Sequence, residues 1–233
     1  FLLPLFLGIS TSILFLSSII GFFLENHALE LWSFFFGLIF ASSILICKDV
    51  KHWSPSTIFV LVIGGLISFL ISFLSPAVAN EALTYLFLCG MLMIMAMILP
   101  GVSGAFILVL LGAYETALET VELVRSFQIQ GFLNLIAFGL GAIIGLKLFA
   151  HWVGKLYLNY RNALLATMSG FMFGSLYKVW PWKQFIKDEN HDQTAVLPNF
   201  ELSNSELWIG LSFILVGSFV IYAFHKMSQS QKQ

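Results

Sequence analysis

Charge is scarce in this chain of 233 residues: only 10% are Asp, Glu, Lys or Arg, against about 25% in soluble domains. So few charges cannot build a water-facing surface, and 59% hydrophobic residues with a mean hydropathy of +0.93 place the chain in lipid. A net charge of −1 leaves no basic stripe for nucleic acid. Cysteine is scarcer still. Cys47 and Cys89 both sit inside apolar runs, so neither a disulfide framework nor a metal motif follows. The five histidines occur singly, in loops or near span ends, without ligand spacing. The run that opens at Phe1 has no charged region before it, unlike a signal peptide, and the chain is expected to lack its natural start.

What is present is a series of apolar runs of about 20 residues, the length that crosses a bilayer as a helix. The expectation is an all-α polytopic membrane protein, one domain over 1–233. Runs at 1–24 and 29–47 form an antiparallel pair joined by Glu25-Asn26-His27, and 48–52 with Ser54-Pro55 ends the pair. A connecting span follows at 57–74, stopped by Ser75-Pro76, with later spans at 131–150, 163–180 and 207–225. The polar segment 181–206 reads as an extracytoplasmic loop.

The stretch 83–114 fits neither one crossing nor two. As a helix it would reach about 48 Å against a hydrocarbon core of about 30 Å. Pro100-Gly101-Val102-Ser103-Gly104 breaks it, leaving 105–114 a rise of only about 15 Å. A re-entrant hairpin is expected, giving about six spans plus that hairpin.

Charge placement supports the count, because cytoplasmic loops carry the excess of Lys and Arg. With the hairpin returning to its own side, one face gathers Lys48, Lys51, Lys147, Lys155, Arg161, Lys226 and Lys232. The other holds Arg125, Lys178, Lys183 and Lys187. The first face, and with it the C-terminus, is expected in the cytoplasm.

Sliding the chain on itself by 133 positions pairs Gly8, Gly21 and Gly37 with Gly141, Gly154 and Gly170, and Asn26 with Asn159. It also pairs Leu2, Leu7, Leu31, Phe40 and Ser42 with Leu135, Leu140, Leu164, Phe173 and Ser175. Roughly three such matches are expected by chance. The first copy (1–46) starts from the cytoplasm and the second, within 83–180, runs the opposite way, which is the inverted repeat of many secondary transporters. The counterpart of the hairpin falls upstream of Phe1, so a first hairpin is expected to be missing from this chain.

Pro100 removes a backbone donor, while Gly101 and Gly104 permit unusual backbone angles and close approach. A break of this kind is tolerated in hydrocarbon only where protein or a water-filled cavity surrounds it. A helix starting near Ser103 aims free amides and its positive end at that cavity, a site for a phosphate or carboxylate. Pro100, Gly101, Val102, Ser103, Gly104 and Ala105 are therefore the substrate-binding candidates; a Pro/Gly kink satisfied by neighbouring helices is the alternative. Three further residues are headgroup or coupling candidates. Lys147 lies near the cytoplasmic end of its span, where snorkelling also explains it. Arg161, like Lys155, is an interface anchor that can meet an anionic headgroup. Glu115 shares a face with Glu119 and Glu122, a solvated face or, at Glu115, a proton carrier. Gly139, Gly141, Gly170 and Gly174 suit close helix packing.

The run Met97-Ile98-Leu99-Pro100-Gly101-Val102-Ser103-Gly104-Ala105-Phe106-Ile107-Leu108-Val109-Leu110-Leu111-Gly112-Ala113-Tyr114 resembles the bacterial polyprenyl-phosphate transporter family. The segments Phe1-Leu2-Leu3-Pro4-Leu5, Leu24-Glu25-Asn26-His27 and Phe34-Phe35-Phe36-Gly37-Leu38 look like its middle region. The resemblance implies a translocase of the bacterial cytoplasmic membrane that returns undecaprenyl phosphate from the outer to the inner leaflet, with two Pro-Gly-Val-Ser-Gly hairpins. The family often has Ser where this chain has Ala105. Implied partners are polyprenyl phosphate and membrane lipids, with a homo-oligomer left open; no cofactor, metal or nucleic acid is expected. Two rivals stand beside this reading: a transporter of a small soluble anion, and an enzyme acting on lipid phosphates. Without paired His and Arg in membrane-edge loops or a metal cluster, the expectation is no enzyme.

Overall fold

Most interruptions that the sequence marks become helix ends. The computed structural model describes residues 19–74, 77, 80, 82–185, 193–195 and 205–230. The described helices are α1 (residues 19–26), α2 (Ala28–Lys48), α3 (Pro55–Ile71), α4 (Leu83–Ile98), α5 (Gly104–Leu110), α6 (Tyr114–Arg125), α7 (Ile129–Ser175) and α8 (Ser205–Ser230). Two three-residue strands, β1 (Lys183–Phe185) and β2 (Gln193–Ala195), pair antiparallel as a short ribbon within the polar segment. Most of the first run, Ser75-Pro76 and most of 181–206 lie outside the described residues.

Local chemistry sets several of these ends. Ser54 caps α3, its hydroxyl accepting from the Thr57 amide at 3.2 Å, and Pro55 opens the helix where a missing N–H costs nothing. α2, α7 and α8 are long and apolar enough to cross a membrane, and α3 and α4 are shorter apolar helices. Packing is the reverse of a water-soluble core. Phe59, Leu70, Ile143, Leu215 and Phe219 are all more than half exposed, while Ser33, Ser43, Ser68 and Ser169 are buried. Large apolar side chains facing outward and small ones facing inward suit a lipid solvent, in which helices associate by close packing.

The chain divides into two compact units, 1–42 with 176–233, and 43–175. In the first, α2 and α8 run parallel. A β-carbon at Gly37 would strike the Ile214 carbonyl and one at Gly217 the Phe34 carbonyl, so only glycine permits this approach. The Ser218 hydroxyl donates to the Gly37 carbonyl at 3.2 Å across the same seam. Trp180 packs edge-on to Trp182 and Phe36 beside it.

In the second unit, α4 lies parallel to the first half of α7, with Gly90 against Phe138 and Gly145 against Met91 and Ile94. α3 lies parallel to the second half, with Gly64 against Thr167 and Gly174 against Gly65 and Ser68. These contacts show how α7, 47 residues long, is bent. Were it straight, Gly145 and Met172 would stand about 40 Å apart, yet both lie along one short stretch, Met91 to Gly101, of about 15 Å. The chain therefore folds back at Tyr160, whose φ −135, ψ 42 leave the helical region. The two expected spans are present, but 151–162 is not a loop between them: it is helical up to the bend. Polar side chains there bond within their own helix, Asn159 to the Lys155 carbonyl at 3.0 Å and Arg161 Nε to the Tyr157 hydroxyl at 3.1 Å. The Lys51 amide donates to Asn162 Oδ1 at 3.1 Å, bringing the 48–52 link to the bend.

Candidate functional site: the broken hairpin

Leu99-Pro100-Gly101-Val102 forms a β-turn. The Val102 amide donates to the Leu99 carbonyl at 3.2 Å, Pro100 occupies the position its fixed φ favours, and Gly101 has φ +85. That turn sends α5 back along α4. A β-carbon on Gly104 would lie 2.5 Å from Met97 Cγ and 2.8 Å from the Met93 carbonyl. α5 lasts seven residues and ends in a Schellman motif: Ala113 N–H bonds the Leu108 carbonyl, Gly112 N–H bonds that of Val109, and Gly112 has φ +63. Leu108 and Ala113 are buried there with Cys89.

The base of the hairpin is tied twice. The Tyr85 hydroxyl donates to the Leu111 carbonyl at 2.6 Å, and the Ala77 amide to the Leu110 carbonyl at 2.8 Å. The chain thus leaves the hairpin at the end where it entered. The tip meets the second half of α7: a β-carbon on Gly101 would be 2.9 Å from Met172 Cα and 3.0 Å from Ser175 Oγ. Met172 is twelve residues beyond Tyr160, about 18 Å along a helix, so the hairpin turns well short of the Tyr160 end of its unit.

Ser103 caps α5, its hydroxyl oxygen accepting a long 3.4 Å bond from the Phe106 amide, and its side chain is exposed. The Ser103 carbonyl accepts from Ile107 N–H. Among the described residues, the amides of Ser103, Gly104 and Ala105 have no hydrogen-bond partner. Pro100 and Val102 are half-buried, Gly101 and Ala105 exposed, and Gly104 buried. The remaining candidates are elsewhere in the unit. Glu115 is exposed on the first turn of α6, Lys147 is exposed on α7, and the Arg161 guanidinium lies 5.6 Å from the Tyr157 ring centroid near the bend. Sequence reasoning missed Met172 and Ser175 beside the tip. Ser175 left one signal, since the repeat pairs it with Ser42.

The first unit holds an apolar cavity of about 370 Å³, lined chiefly by Phe23, Leu31, Phe34, Phe35 and Phe213 with the acid Glu30. Among the described residues its lining offers no donor to an anion, so the broken hairpin is the better headgroup candidate. No group of three or more His, Cys, Asp or Glu among the described residues could hold a metal ion.

The chain is 38% identical to a polyprenyl-phosphate transporter of Vibrio cholerae serotype O1 over 186 residues, 80% of this chain and 58% of that protein. It is 28% identical over 193 residues to a polyprenyl-phosphate transporter of Staphylococcus aureus, 78% of this chain and 68% of that protein. The chain thus spans little more than half the length of the Vibrio relative. No solved structure matches it. Residues 1–196 match the model of one family, and this membrane protein belongs to it: the undecaprenyl phosphate translocase-like family.

Proposed function

We propose that this protein carries undecaprenyl phosphate from the outer to the inner leaflet of the bacterial cytoplasmic membrane, for reuse in envelope synthesis, without cleaving it. The observation that carries the reading is the hairpin tip, where three successive amides, those of Ser103, Gly104 and Ala105, are uncommitted beside the exposed Ser103 side chain. A phosphate is the ligand such donors suit. In this reading Pro100 and Gly101 shape the turn, Val102 spaces it, and Ser103, Gly104 and Ala105 donate to the headgroup. The isoprenoid tail stays in lipid. Arg161, beside the bend, stands where the headgroup is released to the inner face, and Glu115 where a proton enters. Lys147 lies thirteen residues before the bend, about 20 Å along α7 and so level with the tip rather than at the inner end.

The hairpin is re-entrant in this proposal, rooted on the outer side, with its tip near the midplane. Both of its ends are at one end of the unit, which is the property a re-entrant element needs. The inverted repeat draws support from packing. Its second spans, α2 and the second half of α7, each run parallel to one further helix, α8 and α3 respectively, and place Gly37 and Gly170 against it. Rocking of the two halves about the site would alternate its exposure, and the C-terminus would be cytoplasmic.

A strain lacking the protein is expected to accumulate the lipid carrier on the outer face; an unchanged leaflet distribution would overturn the proposal. In vesicles, Ser103→Ala should slow translocation beyond any loss of folded protein. Polyprenyl phosphate should displace a bound probe that inorganic phosphate leaves in place, whereas the reverse order would favour a soluble anion as cargo.

A further inference from the structure

We propose that α6 is an interfacial helix whose partner is the lipid surface: it lies along the membrane boundary with Tyr114, Leu118, Val121 and Phe127 in the lipid and Glu115, Glu119 and Glu122 in water. The inference rests on the reading of α4 and α7 as membrane elements. α6 itself has 12 residues, about 18 Å, and three acids, so it cannot span. One face is already used, because Thr116 and Thr120 are buried. Beside it runs an apolar stripe that the fold leaves uncovered. Tyr114 is 40% exposed, and Leu118 and Val121 are each 55% exposed; their spacing of four and three puts them on one line. The acids form the next line round. Arg125 continues the apolar stripe, where a long cation extends to headgroups from an apolar seat.

The end of α6 is the second observation. Gln128 N–H bonds the Leu123 carbonyl and Phe127 N–H that of Val124, a Schellman ending whose left-handed position glycine favours. Here that position is Phe127, with φ +54 and 86% exposure. A β-carbon makes this conformation costly, and at that exposure the protein offers the ring almost no compensating contact. The compensation then comes from outside the chain. Lipid is the occupant because the stripe runs on through Ile129, 74% exposed, into Leu133 and Ile136 on α7, faces that meet hydrocarbon in the same reading.

Nitroxide labels at 118, 127, 119 and 122, one at a time in a Cys47→Ala, Cys89→Ala background, test this in phosphatidylethanolamine/phosphatidylglycerol vesicles. A label at Ile143 on α7 serves as reference. The ratio of relaxation by oxygen to relaxation by a water-soluble nickel chelate should be several-fold higher at 118 and 127 than at 119 and 122. Equal ratios at all four sites, with Ile143 still lipid-exposed, would overturn the interfacial helix alone. Exclusion of both reagents at 118 and 127 would also overturn it, in favour of a second copy of the chain. Nickel access at Ile143 would overturn the membrane reading and this inference together.

Discussion

At Gly101 two demands coincide: a left-handed φ of +85 and a β-position 2.9 Å from Met172 Cα. Gly101→Ala is expected to lower stability by about 1–2 kcal/mol from backbone conformation alone, with the close approach adding to it. Thermal unfolding in detergent measures this, and an unchanged midpoint would contradict the geometry. The turn was legible in the sequence because proline followed by glycine has few other uses inside an apolar run. Its neighbours were not. Met172 and Ser175 reach the tip only because α7 doubles back at Tyr160, and no local pattern around an exposed tyrosine announces that bend.

Glycines distinguish packed helix faces from open ones at the scale of elements. Gly141 has the Phe87 carbonyl where a β-carbon would go, whereas Gly139, two residues earlier, has nothing within 4 Å. Gly141→Ala should therefore separate α4 from α7 and lower the unfolding temperature. Gly139→Ala should be neutral or raise stability by up to ~1 kcal/mol through helix propensity. Equal effects of the two would mean that α4 does not seat on α7 as described. Span limits were readable from apolar runs and from breakers such as Ser54-Pro55. The segment 151–162 was not, because Lys155, Asn159 and Arg161 resemble loop composition. Bonds from Asn159 and Arg161 within their own helix let that polar segment stay helical.

For the whole molecule, the proposed sidedness predicts that a reporter fused after Gln233 is active in the cytoplasm, while a tag inserted after Glu189 is reached by a protease added to the outside of intact cells. The opposite result would invert every assignment built on the basic residues. Lysine and arginine counts are what that proposed orientation rests on, and the offset of 133 is what the proposed repeat rests on. The pairing of helices within each unit was hidden, because it joins segments distant along the chain through glycine contacts that periodicity does not encode. One consequence follows from the doubly tied hairpin base. An element that enters and leaves at one end changes the parity of no crossing, so a family could gain, lose or lengthen such a hairpin without turning any later segment inside out. The hairpin and the wiring of the scaffold are thereby free to vary independently.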